Sequence, residues 1–195
     1  MKFYPYLLKM EKYLSLTIIF IIMESLLLSI ENAIKNKNWY SVLLVCLTIP
    51  DICSKLENPG LKTGERYIDW FKSYLNDKYN GFLSGDDCYA LRCSYIHEGI
   101  DVIEHQSAQK IVDKFVFSPE GAHGNAISNC HFGGTVDDGK NILQLSVKQF
   151  GFDIVEAARK WVEDVKSNTK IQKRISNLLR IKDNPTIGNG AIRFN

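Results

Sequence analysis

Arg92 and His97 are the residues of this chain whose types and spacing best fit chemistry. An arginine offers a permanently charged planar fork to an anion, and a histidine can exchange protons near neutral pH. Both fall late in DDCYALRCSYIHE (86–98), a segment with helical periodicity. On a wheel of about 100° per residue, Leu91, Tyr95, Cys88, Ile96, Tyr89 and Cys93 share one broad apolar arc. Arg92 falls in the middle of that arc, and His97 lies about 140° away, on the side of Ala90 and Ser94. A guanidinium taken out of water needs compensating partners. Arg92 therefore either pairs with an inward-looking acid, for which Asp51 in IPDICSKL is the candidate, or lines a cleft or subunit interface. In the first case His97 merely complements the dipole at the helix C-terminus.

The elements that position this pair can be read on either side of it. ESLLLSIENAIKN (24–36) repeats apolar residues at helical spacing. NWYSVLLVCLTIPDICSKLE (38–57) is a second, strongly apolar helix, with a kink or break expected near Thr48 because Pro50 lies inside it. NPGLKTG (58–64) reads as a loop, and ERYIDWFKSYLNDKY (65–79) as a helix with Tyr67, Trp70, Phe71 and Tyr74 at i, i+3, i+4, i+7. That aromatic stripe suits a hydrophobic core face better than a base-stacking platform. Ser84 is a good N-cap for the motif helix, Asp86 and Asp87 favour its dipole, and Gly99 is its natural stop. The period then changes. KIVDKFVF (110–117) and NILQLSVKQF (141–150) read as the strands of a β-hairpin with a long Gly/Asn/Asp-rich loop. Helix returns at FDIVEAARKWVEDVKS (152–167), with Ile154, Val155, Ala158, Trp161, Val162 and Val165 on its apolar face. IQKRISNLLRIK (171–182) continues as a basic amphipathic helix ahead of a mobile tail.

Composition fits one domain: 195 residues, 45% hydrophobic and 24% charged, enough for a packed core. A formal charge of +2 is too small to announce a nucleic-acid binder by itself. The charge is uneven, however. Lys166, Lys170, Lys173, Arg174, Arg180 and Lys182 have no acid among them, and the run reads equally as an RNA-backbone track or as a solvated helix face. Cys46, Cys53, Cys88, Cys93 and Cys130 include no Cys-x-x-Cys pair, and this usage fits a reducing cytoplasm. His105, His123, Cys130 and His131 match no familiar zinc spacing, so no metal site is expected.

Residues 1–22 admit three readings. Lys2, Lys9 and Lys12 precede the apolar run LSLTIIFIIM (14–23), but no small-x-small cleavage site follows. As a membrane anchor the run would have to continue through Glu24, a costly carboxylate in lipid. It is otherwise a buried helix, or a start-site extension ahead of translation from Met23. The expected organisation is an N-terminal extension or apolar helix (1–22), a helical domain (23–167) with the hairpin inserted at about 108–150, and a basic helix and tail (168–195).

The segment ALRCSYIHEG (90–99) resembles the Arg-x-x-x-x-His motif of the HEPN superfamily, small helical bundles that include many metal-independent ribonucleases of toxin–antitoxin, phage-defence and CRISPR-associated systems. The likeness extends over residues 24–100 and the helix at 152–167. The hairpin is an insertion relative to a minimal bundle, and Cys93 stands where many active members have a polar residue. The resemblance implies a mainly α, HEPN-like bundle and a cytoplasmic homodimer in which both copies of Arg92 and His97 face one groove. Its activity would be cleavage of RNA by the ribose 2′-hydroxyl, with no cofactor. His97 would act as general base or acid and Arg92 would hold the scissile phosphate. Ser94, Glu98 and Asp51 are candidate supporting groups, and Lys170, Lys173 and Arg174 candidate RNA contacts. An antitoxin or other regulatory protein would be a natural partner. The rival expectation is a non-catalytic helical binding or regulatory module related to the same superfamily.

Overall fold

A computed structural model describes residues 22–79, 81–121, 123–127, 131–132, 135–136 and 140–181, without the side chains of 124–139. The apolar run before residue 22, the tail from 183 onward, and the side chains of Cys130 and His131 lie outside the described residues.

The described part is mainly helical. Helix α1 (22–35) turns Met23, Leu27, Ile30 and Ile34 inward at the i, i+4, i+7, i+11 spacing of one helical stripe. Helix α2 (Trp39–Glu57) is capped by the Asn38 side chain and runs through Pro50 without interruption, so the expected break near Thr48 does not occur. Proline removes one backbone donor, and a helix tightly packed on its neighbours tolerates that loss. Val42, Leu43, Cys46, Leu47, Ile49 and Cys53 bury its inner face. Helix α2 is also long and apolar enough to cross a membrane, yet half of its most apolar stretch is buried within the protein.

Helix α3 (Thr63–Tyr74) and the short α4 (Asn76–Tyr79) follow. Tyr67, Trp70 and Phe71 are at most 3% exposed. The aromatic stripe is therefore core; a base-stacking platform would have to face solvent. Helix α5 (Gly85–Glu98) carries Arg92 and His97. Its first residue is glycine for a packing reason: a Cβ on Gly85 would sit 3.0 Å from the Ile68 carbonyl oxygen of α3. Ser84 caps the helix by accepting from the Asp87 amide, and Gly99 ends it in the left-handed region at φ 74°.

The hairpin expectation needs correction. Strand β1 (Lys114–Ser118) pairs in parallel with the segment Asn141–Ser146, so the two do not form a hairpin. Between them the chain supplies β2 (Gly124–Ile127) and the two-residue strands β3 (His131–Phe132) and β4 (Thr135–Val136), and Asn141–Ser146 is β5. The sheet order is β1-β5-β2. The Asn/Gly-rich loop does join an antiparallel pair, but its partners are β2 and β5. Gly124-Asn-Ala-Ile offers too little apolar alternation to announce itself as a strand.

Helix α6 (Val147–Asp164) starts directly after β5, five residues earlier than its periodicity suggests, because Ser146 provides a cap to the Gln149 amide. Helix α7 (Thr169–Ile175) is shorter than the expected 171–182. Helix α2 packs against α3, α5, α6 and α7 and forms the centre of the bundle. Glu24 does not look into apolar surroundings: Arg159 of α6 clasps it together with Glu31 of α1, at 2.5–3.3 Å.

Two contacts fix the geometry around α5. Asp87, with no exposed surface, accepts the amides of Lys110, Ile111 and Val112 at 2.7, 3.0 and 3.4 Å through Oδ1. Its Oδ2 takes the Ser84 hydroxyl at 2.6 Å. At the other end, the Ser94 hydroxyl donates to the Val102 carbonyl at 2.9 Å. The segment leading to β1 is thus tied to both ends of the motif helix.

Replacing Asp87 by alanine strands three backbone donors, each costing about 1–3 kcal/mol when buried without a partner. Urea unfolding of Asp87→Ala is expected to show a loss of about 3 kcal/mol or more, while Asp87→Asn, which keeps one acceptor, loses less. Gly151 of α6 tests packing in the same assay. A Cβ there would lie 2.8 Å from Ile34 Cδ1 and 2.9 Å from Val42 Cγ1. Gly151→Ala should destabilise by about 1 kcal/mol, overpacking outweighing the gain in helix propensity; a stabilised variant would refute the tight packing.

Candidate active site

Arg92 projects from α5 toward Asp51 of α2, and its Nε donates to Asp51 Oδ2 at 2.7 Å. The Arg92–Asp51 pair, the first of the two alternatives for this arginine, is therefore present. Both side chains are largely covered, at 19% and 15% exposure. Burial works against the charge on Arg92, but the Asp51 carboxylate and a contact with the Cys93 thiol more than offset it, and the guanidinium pKa is raised. Asp51 Oδ1 is buried without a hydrogen-bond partner.

The wheel places His97 about 140° from Arg92, yet the two side chains meet: Arg92 Nη1 lies 2.9 Å from His97 Nε2. A wheel locates Cβ atoms, and a flexible arginine stem spans the turn between them. Arginine has donors only, so in this contact His97 Nε2 must accept and the ring proton must sit on Nδ1. Proton uptake at Nε2 requires the contact to open. His97 is exposed. Asp51, Arg92 and His97 thus run from the α2–α5 junction to the surface at the end of α5.

The other candidate supporting groups divide. Ser94 is fully buried and committed to the Val102 carbonyl, with Gln106 Nε2 donating to its hydroxyl at 3.2 Å. It is a strut for the 100–106 segment. Glu98 is exposed and is met by His105 Nε2 at 3.1 Å and Gln106 Nε2 at 2.9 Å. Gln106 escapes a reading based on charged and nucleophilic types, since an amide in a loop carries no motif.

Arg174, a candidate RNA contact, is half-buried on α7. Its guanidinium donates to the Leu56 and Glu57 carbonyls, satisfying acceptors that the C-terminus of α2 leaves open. Lys170 and Lys173 remain exposed on α7. The buried cysteines are unsuited to chemistry at neutral pH: burial pushes the Cys88 thiol up to about 12 and raises the Cys46 and Cys53 thiols well above their ordinary value. Among the described residues, no group of three or more His, Cys, Asp or Glu side chains is placed to hold a metal ion.

A second polar cluster was not legible locally because its members come from distant segments. Asp153 of α6 accepts from Tyr79 Oη at 3.1 Å, Lys78 Nζ at 3.3 Å and Gln149 Nε2 at 3.0 Å. His123 accepts the Ser146 amide through Nδ1 and points Nε2 toward Asp153 Oδ2 at 3.7 Å, too long for a hydrogen bond. Asp153 is 6% exposed. Burial alone would raise its carboxyl, but His123, Gln149 and Lys78 together outweigh it and hold the pKa below its ordinary value. The cluster locks α4, β5 and α6 together.

A depressed carboxyl stabilises the fold above its unfolded pKa of about 4 and loses that contribution as pH falls through the folded value. Between about pH 5 and 2, wild-type stability should therefore fall more steeply than that of Asp153→Asn. Parallel urea-derived profiles would show that Asp153 carries no such linkage.

No family model matches this chain, nor does any curated protein or solved structure.

Proposed function

We propose that this protein is a metal-independent endoribonuclease of HEPN type, with His97 as the proton-transfer group and Arg92 as the phosphate clamp. The observation that carries the reading is the 2.9 Å approach of Arg92 Nη1 to His97 Nε2 at the exposed end of α5. A permanently charged fork and a titratable base thereby share one surface point, which is what attack by a ribose 2′-hydroxyl on its own phosphate requires. His97 Nε2 accepts the 2′-hydroxyl proton, the 2′-oxygen forms a bond to phosphorus, and the bond to the 5′-oxygen breaks. The leaving oxygen takes its proton from an imidazolium, and Arg92 stabilises charge on the non-bridging oxygens. The chemistry needs no cofactor.

In this reading the protein acts in the cytoplasm as a homodimer, held in check by an antitoxin or other regulatory protein in a toxin or phage-defence setting. The outer edge of α2 and α5 is suited to self-association. Tyr40 is 80% exposed and Leu44 45% exposed, and Tyr40 lies close enough to Tyr95 to influence its phenol. Lys170 and Lys173 would follow the RNA backbone beyond the site.

One observation favours a second reading. The Arg92–Asp51 pair satisfies a largely covered guanidinium with no substrate present, as a purely structural ion pair would in a non-catalytic binding or regulatory module.

Incubation of the purified full chain with a mixed labelled RNA pool in EDTA separates the two. The ribonuclease reading expects products with 2′,3′-cyclic phosphate ends, and a loss of at least about a hundredfold in rate for His97→Ala without loss of folding. Wild-type inertness as a well-folded dimer, or equal cleavage by the variant, favours the binding module.

A further inference from the structure

The ion pair and the Arg92–His97 contact are parts of one arrangement. Asp51 takes Nε of the guanidinium at 2.7 Å and His97 takes Nη1 at 2.9 Å. Holding an arginine through Nε on one side fixes the plane of its fork, so the Nη1 edge can be aimed instead of swinging about the last stem torsion. The aimed edge meets a ring nitrogen that must then be an acceptor. A neutral imidazole left to itself in water prefers the other tautomer, with the proton on Nε2, so the contact selects the less common form.

We propose that Asp51 is a positioning residue: through Arg92 it sets His97 in the tautomer whose unprotonated nitrogen is Nε2, which accepts from Arg92 until substrate opens the contact. This rests on the proposed roles of Arg92 and His97 in RNA cleavage for its consequence in rate, but not for the wiring itself. Without Asp51, Arg92 has no fixed fork plane, its hydrogen bond to His97 averages out, and the ring returns to the Nε2–H form. A base nitrogen already deprotonated and aimed at the phosphate-binding fork is thereby maintained before substrate arrives. The charged and titratable groups around His97 are Arg92 in direct contact, Cys93 and Glu98 on α5, His105 bound to Glu98 from the following segment, and Asp51 of α2 behind Arg92. Tyr89 on α5 also interacts with Arg92, Asp51 and Cys93.

Ring nitrogen-15 shifts of His97 at a pH where the ring is neutral report the tautomer directly, with Arg92→Gln as the reference for a lost contact and His97→Ala to assign the signal. In the wild-type full chain Nδ1 should be protonated and Nε2 not. Asp51→Ala should move His97 to the Nε2–H form, as far as Arg92→Gln does. Asp51→Asn, which keeps an acceptor for Nε, should retain the wild-type tautomer and so guards against an alanine variant that fails to fold. A wild-type ring already in the Nε2–H form, or an Asp51→Ala ring still protonated on Nδ1, overturns the proposal. Cleavage rates form the second arm: kcat should fall about a hundredfold in Asp51→Ala and less than about tenfold in Asp51→Asn. If wild type shows the expected tautomer but cleaves no RNA, the ribonuclease reading fails and the positioning stands; if it cleaves but Asp51→Ala does so equally well, the positioning role fails alone.

Discussion

Asp87 is the contact on which the placement of everything else depends. A carboxylate with no exposed surface is tolerated only where its oxygens are filled, and here three consecutive amides and a serine hydroxyl fill them. Those amides belong to 110–112, just before β1, and the hydroxyl to the cap of α5. One side chain therefore fixes the start of the motif helix against the start of the sheet. The Gly99 stop and the Ser94–Val102 bond fix the other end. With both ends of α5 held, its last two turns, which carry Arg92 and His97, have a defined position relative to α2.

Much of the helical part was legible because its signals are local. Ser84 as cap, Gly99 as stop, and the inward Tyr67, Trp70 and Phe71 all follow from side-chain chemistry or spacing within a few residues. The sheet was less legible because pairing is a non-local choice. Lys114–Ser118 and Asn141–Ser146 have strand-like composition, but composition does not distinguish parallel from antiparallel partners. The boundaries moved where a cap competed with periodicity, as at Ser146, and α7 ends at Ile175.

Legibility at the site has the same limit. The residue types of Asp51, Arg92 and His97 were visible, and so was Asp51 as one of two ways to compensate Arg92. The meeting of Arg92 and His97 was not, because a wheel treats each side chain as a spoke of fixed direction. The Asp153 cluster was wholly hidden: its partners Lys78 and Tyr79 are over seventy residues away in sequence. The structural contacts of Arg174 were hidden for the opposite reason. A basic residue in a basic run reads as part of a charged face, whereas its donors close the open carbonyls of α2.

The Arg92–Asp51 pair is the point on which the structural and catalytic readings divide, and its geometry bears on the choice. An ion pair retained only for stability gains most when its oxygens and N–H groups are all used, because the desolvation of both ions must be offset. Here the pairing is through a single Nε–Oδ2 bond, and Asp51 Oδ1 is buried with no partner. The guanidinium meanwhile spends one of its edges on an exposed histidine that needs no partner to be soluble. An arrangement that leaves a buried oxygen unfilled while steering a charged fork outward is poor as a fastening. It is well suited to presenting that fork, beside a base, to an anion arriving from solvent.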